Sequence, residues 1–159
     1  MPVFARSHVR SSRLNLSRAA SLAKNILSAV GESSSHMSLT FVGDRRMHRL
    51  NKNFRQKDRT TDVLAFAARD AHAPRARDMI AASLGDVVIS VPAAVRQARQ
   101  RHGSFDEEIA ALLVHGILHL CGYDHERNEA EARRMRRREQ TILKGLANIP
   151  RLTRRSARR

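Results

Sequence analysis

Apolar and polar positions follow two periods along this chain, and the switches between them mark its elements. Residues 3–9 read as a strand. Leu14, Ala20, Leu22, Ala23, Ile26, Leu27 and Val30 then recur at roughly helical spacing, and Gly31 ends that helix. Residues 37–42 predict a second strand, with Leu39, Phe41 and Val42 apolar. Asp44 is placed to cap a helix running to about Phe54, with Met47 and Leu50 inward. Residues 61–67 and 84–90 are two more apolar strands. The polar, charged, Pro-containing stretch 68–79 between them predicts a mobile loop. Ser90 caps a helix over 91–102, with Pro92 in the first turn, where a missing N–H costs nothing.

Gly103 separates that helix from the next. Ser104 and Glu107 have the Ser-x-x-Glu spacing of a capping box, in which each side chain answers a backbone N–H of the first turn. The helix they start runs to about Cys121, with Ile109, Leu112, Leu113, Ile117 and Leu120 as its inward stripe. A last helix over 128–147 turns Met135, Ile142, Leu143 and Leu146 inward and shows arginine on its other face. From 150 on there is no periodicity, and a basic, disordered tail is expected over 150–159. The chain therefore reads as one α+β domain over 1–149: about four strands in a mixed sheet, about five helices, and the helix ending near Cys121 at its centre.

Composition narrows the class. A chain of 159 residues, 42% apolar, can bury a real core, and with 4% aromatics and no Trp that core must be aliphatic. No apolar run approaches the ~20 residues of a membrane span, so no membrane partner is expected. No secretory signal pattern opens the chain, and the single Cys121 excludes an internal disulfide, which fits a reducing bacterial cytoplasm. The first thirty residues are basic and acid-free, a composition shared with organellar transit peptides. Their strand and helix periodicity favours a structured reading.

Charge adds a partner. The net charge is +15, and it is uneven. Residues 133–159 hold eleven basic residues against one acid, Glu139, and residues 45–59 hold seven against Asp58 alone. Fields of this size draw polyanions, of which nucleic acid is the commonest in a cytoplasm.

The chemistry lies in His115, His119 and His125. The first two are one helical turn apart and share a face. Gly122 can take positive φ, so the helix can end and return His125 toward them. Three neutral imidazoles, with the fourth position left to water, describe a catalytic zinc site rather than a closed structural one. One ion per chain is expected; nickel, copper or iron suit the same ligands. The other five histidines, at 8, 36, 48, 72 and 102, have no such spacing and read as structural. The spacing His-x3-His-x2-Gly-x2-His also occurs in metzincin proteases, which carry a glutamate general base directly after the first histidine. Here that residue is Gly116, which leaves a metzincin-like hydrolase without its proton-transfer group.

The segment His115-Gly-Ile-Leu-His119-Leu-Cys-Gly-Tyr-Asp-His125 resembles the signature of the YbeY family of zinc-dependent endoribonucleases. Two further blocks are similar to that family in the same order: Leu50-Asn51-x-x-Phe54-Arg55-x-Lys57-Asp58-x-x-Thr61-Asp62-Val63-Leu64-x-Phe66, and Leu84-Gly85-Asp86-Val87. The resemblance implies a single-strand-specific RNA hydrolase that matures the 3′ end of small-subunit rRNA and serves ribosome quality control, with ribosomal RNA and the ribosome or its proteins as partners. It implies a bacterial or organellar setting. It carries the metal ligands onto His115, His119 and His125, and a functional arginine onto Arg55. Arg55 and His115 are the expected catalytic residues, with Arg55 as the phosphate grip. Lys57 and Arg59 are expected along the RNA path. Asp62, Asp86 and Asp124 are candidates to accept the second N–H of a ligand histidine. The chain departs from the family pattern at Ala65 and Ala67, where Ser and Pro are usual, and no role is assigned there. Cys121 reads as buried filler. The competing reading is a non-catalytic, ribosome-associated RNA binder that keeps a metal for stability.

Overall fold

The computed structural model describes residues 3–9, 14–68, 83–146 and 148–153. Its strands are β1 (Val3–Ser7), β2 (His36–Val42), β3 (Val63–Ala67) and β4 (Ser83–Ser90). They pair in the order β1-β2-β4-β3. β1, β2 and β4 run parallel, and β3 lies antiparallel to β4 at the edge. The helices are α1 (Leu16–Ala29), α2 (Asp44–Arg55), α3 (Val91–Gln100), α4 (Phe105–Leu120) and α5 (Glu129–Gly145). Among the described residues, the mixed sheet and five helices are the α+β arrangement that the periodicity predicts.

Strand alternation divides the apolar side chains between two faces. Met37, Leu39, Phe41, Val87 and Ile89 join Leu22, Ile26, Ile109, Leu113 and Ile117 in the main core, under α1 and α4. Val42, Leu64 and Val88 point the other way, onto Met47 of α2. α4 is buried almost all round, from Glu108 to Leu120. Each fully buried Leu or Ile there contributes roughly 1.5–3 kcal/mol. This burial fixes in place the helix that carries His115 and His119.

Local signals set the helix starts. Ser104 Oγ accepts from Glu107 N at 3.1 Å, Ser90 Oγ from Ala93 N at 3.3 Å, and Asn128 Oδ1 from Glu131 N at 2.8 Å. Asp44 does not cap α2 as expected. Gly43 is the cap residue and Asp44 is already helical. Its carboxylate is turned away to Arg96 of α3, at 2.8 and 3.0 Å, and to Ser90 Oγ at 3.2 Å. A charge-assisted fork from a distant arginine outcompetes a local backbone bond.

The expected tail also needs correction. Leu152 is buried in the main core. Its N–H donates to Asp106 Oδ1 at 2.8 Å and its carbonyl accepts from Asn15 N at 2.6 Å. Leu14 and Thr153 form an antiparallel bridge. A single apolar anchor has no period and so escapes a periodicity argument, but its backbone finds partners at the starts of α1 and α4. Residues 154–159, and all but the first residue of the loop expected over 68–79, lie outside the described residues.

Candidate metal centre and basic cleft

α4 ends in a Schellman turn. Gly122 N donates to His119 O at 3.0 Å and Tyr123 N to Leu118 O at 3.1 Å. The turn needs a left-handed residue, and Gly122 supplies it at φ +100°. The chain folds back and brings His125 to the two helical histidines. His115 Nε2 and His119 Nε2 are 3.1 Å apart, and His125 Nδ1 is 3.0 Å from His119 Nε2.

The other ring nitrogen of His115, Nδ1, meets a carboxylate that the histidine spacing does not announce. Glu139 Oε1 of α5 lies 2.6 Å from His115 Nδ1. A carboxylate accepts only, so the ring proton sits on Nδ1 and the Nε2 lone pair faces the other histidines. Burial holds the His119 imidazole down at about 4, helped by the charges of His115 and His125 and opposed by the Tyr123 backbone and Asp124. His119 is therefore neutral at neutral pH. Ring nitrogens converging on one point, one with its tautomer fixed and one held unprotonated, fit a divalent cation bound by imidazole.

The carboxylates expected to accept from the ligand histidines sit differently. Asp86 lies on the Val88 side of β4 and accepts from Ser38 Oγ, on the sheet face opposite α4. Strand alternation puts it out of reach, since its neighbour Val87 is the residue facing the histidine helix. Asp62 lines the cleft, but its oxygens accept from Val63 N at 2.8 Å and Gln97 Nε2 at 2.9 Å. It fixes the entry to β3. Asp124 Oδ1 accepts from Glu126 N at 3.0 Å, which shapes the loop that carries His125.

The three histidines open into a cleft of about 720 Å³ whose walls include Arg55, Lys57, Arg59, Tyr123, Asp124 and Arg127. Arg55 closes α2, and its Nη2 donates to the Ala65 carbonyl of β3 at 2.8 Å. Position 65 thus acts through its backbone, whatever its side chain. Lys57 and Arg59 ride on a loop pinned by buried Asn51, whose Nδ2 donates to Arg59 O at 2.8 Å. His48 and Lys52 both contact Asp58, and the His48 hydrogen bond is the main cause of its lowered carboxyl pKa. Lys57 Nζ lies 3.7 Å from Glu126 Oε1, joining this loop to the one bearing His125. Cys121 is the half-buried cap residue of α4 and packs on the core.

Glu139 left one signal in the sequence. It is the lone acid of the basic C-terminal stretch, and it lies on the same helical stripe as inward Met135 and Ile142. Tyr123, which carries the Arg134 guanidinium 4.7 Å over its ring, shows in the sequence only as a member of the histidine segment.

Fold and site together define an α+β domain with a three-histidine centre able to hold a metal ion, at the floor of a basic cleft. The family model described as Endoribonuclease YbeY matches residues 6–147, and this chain belongs to that family. It is 43% identical to the Endoribonuclease YbeY of Geobacter metallireducens, over 77% of this chain and 80% of that protein. It is 45% identical to that of Pelotomaculum thermopropionicum, over 81% and 84%. The solution structure of TM1509 from Thermotoga maritima shares the fold, with a TM-score of 0.59 and 24% identity over 89% of this chain and 87% of that one.

Proposed function

We propose that this chain is a metal-dependent endoribonuclease that cuts single-stranded RNA, acting in maturation of the 3′ end of small-subunit rRNA and in ribosome quality control. Family membership supports the reaction class. The observation that carries the reading is the convergence of His115, His119 and His125 on the floor of a cleft walled by Arg55. Those three residues would hold the ion, zinc by the nature of the donor set, which supplies Lewis acidity at a phosphodiester.

The chain's own groups do the rest. Arg55 presents a planar fork to two phosphate oxygens at once, and its bond to Ala65 O leaves further N–H groups for that task. Glu139 keeps the His115 ring in one tautomer. Lys57 and Arg59 attract the backbone on either side of the scissile bond. The reading sets the chain to work beside ribosomes, in the bacterial cytoplasm.

The test pairs metal analysis with cleavage of a single-stranded RNA by wild type and His119→Ala. Bound metal and metal-dependent cleavage are expected in wild type, and loss of both in a folded variant. Equal cleavage by both would refute the proposal. Tight RNA binding without cleavage in either protein would instead mark a non-catalytic RNA binder.

A further inference from the structure

Phe54 stands out on the surface of the cleft's outer wall. It is 64% exposed, the more exposed of the two large hydrophobic residues that remain open among the described residues. A lone exposed phenylalanine is ordinary, so its surroundings decide what it means. The ring packs edge-on against Phe66, with centroids 5.5 Å apart and planes at 69°. The Arg55 guanidinium lies 5.9 Å over the same Phe66 ring while anchored to Ala65 O. Phe54 is thus propped from one side, and it adjoins the arginine to which the proposed function gives the phosphate.

Position along the edge strand adds direction. On β3, Val63, Ala65 and Ala67 pack toward α4 and line the cleft, whereas Leu64 and Phe66 face α2. Phe54 and Phe66 therefore lie on the other side of β3 from the histidines, while Arg55 both lines the cleft and lies over Phe66. Beyond them the exposed residues of α2 include Arg45, Arg46, Arg49 and Lys52. The nearby acid, Asp58, is already matched by His48 and Lys52. An open aromatic face in a cationic field suits a polyanion that carries flat apolar rings, which is single-stranded nucleic acid.

We infer that Phe54 is a stacking platform for one nucleobase of the RNA, over the edge of β3 from the scissile phosphate. This rests on the proposed endoribonuclease reading and deepens it: the enzyme grips an unpaired base beside the cut. A base in a duplex is already stacked on its neighbours and cannot take that place, so Phe54 favours single-stranded substrate.

The experiment measures Kd by fluorescence anisotropy, and kcat and KM by cleavage, on a labelled single-stranded RNA of about twelve nucleotides. Wild type is compared with Phe54→Ala, Phe54→Leu and Phe54→Trp. Because Phe54 is exposed, all three should fold, and circular dichroism checks this. Ala and Leu should each weaken binding about tenfold and raise KM, while Trp restores wild-type values. An abasic nucleotide walked along the RNA should weaken wild type at one position only, and there erase the difference between wild type and Phe54→Ala. Wild-type affinity in Phe54→Leu, or no such position, overturns the inference while wild-type cleavage leaves the endoribonuclease reading standing. A wild type that neither binds nor cuts the RNA overturns both.

Discussion

Glu139 Oε1 sits 2.6 Å from His115 Nδ1, so α5 reaches across to fix a ring on α4. The contact is partly shielded, with side-chain exposures of 29% and 22%, which makes it stronger than a surface pair. Glu139→Gln can still meet the ring but no longer fixes the tautomer, and Glu139→Ala abandons it. Zinc affinity, read by chelator competition, should fall about 10–100-fold in Glu139→Ala and less in Glu139→Gln. Unchanged affinity in both would leave Glu139 a packing residue.

Proton binding should unsettle the metal-free protein through His119. Its imidazole titrates near 6.5 when unfolded and about 4 when folded. Between those values the unfolded chain binds more protons, so stability is full above about pH 6.5 and drains away as pH falls toward 4. Urea midpoints from pH 7.5 to 4.5 should show this decline, and His119→Ala should flatten it. The same slope in the variant would assign the effect elsewhere.

Arg55 is tested by shape as well as charge. Arg55→Ala should lower kcat/KM for RNA about a hundredfold. Arg55→Lys keeps the charge but not the fork, and should recover little of it. Full rescue by lysine would mean that Arg55 acts only through the cleft's field.

Gly116 replaces the carboxylate of the metzincin pattern for a packing reason. A Cβ there would stand 2.8 Å from Val87 Cγ1 and 3.2 Å from Val87 Cγ2. Helix propensity favours alanine over glycine by about 1 kcal/mol, and overpacking against a β-branched neighbour costs about 1–3 kcal/mol. The clash should win. Gly116→Ala should lower the urea midpoint, and a rise would show that α4 can lift off β4 freely.

Leu152→Ala should cost about 2–5 kcal/mol by the same urea measurement, since the side chain is fully buried. A disordered tail would show no change.

These residues also mark what could be read before the structure. The α4 stripe, the capping serines and the His115–His119 spacing are local, and each stands where its spacing put it. What escaped was non-local. Strand order depends on which edges meet, which no single strand encodes. Asp86 shares a sequence block with residues near the cleft, yet alternation sends it to the other face. Asp44 looks like a cap until Arg96, far along the chain, claims it. Leu152 carries no pattern at all, and Glu139 becomes legible only once its helix is known to lie against α4.

The joint at Leu152 has a consequence for synthesis. Asn15, Asp106 and Leu152 meet at one point, and the start of α1 gains its last backbone partner from the latest of the three. As the polypeptide emerges in order, that partner arrives only after α5 has been made. Until then the Asn15 N–H lacks its Leu152 carbonyl, and α1 begins on its own helical bonds and the Asn15 side-chain cap alone.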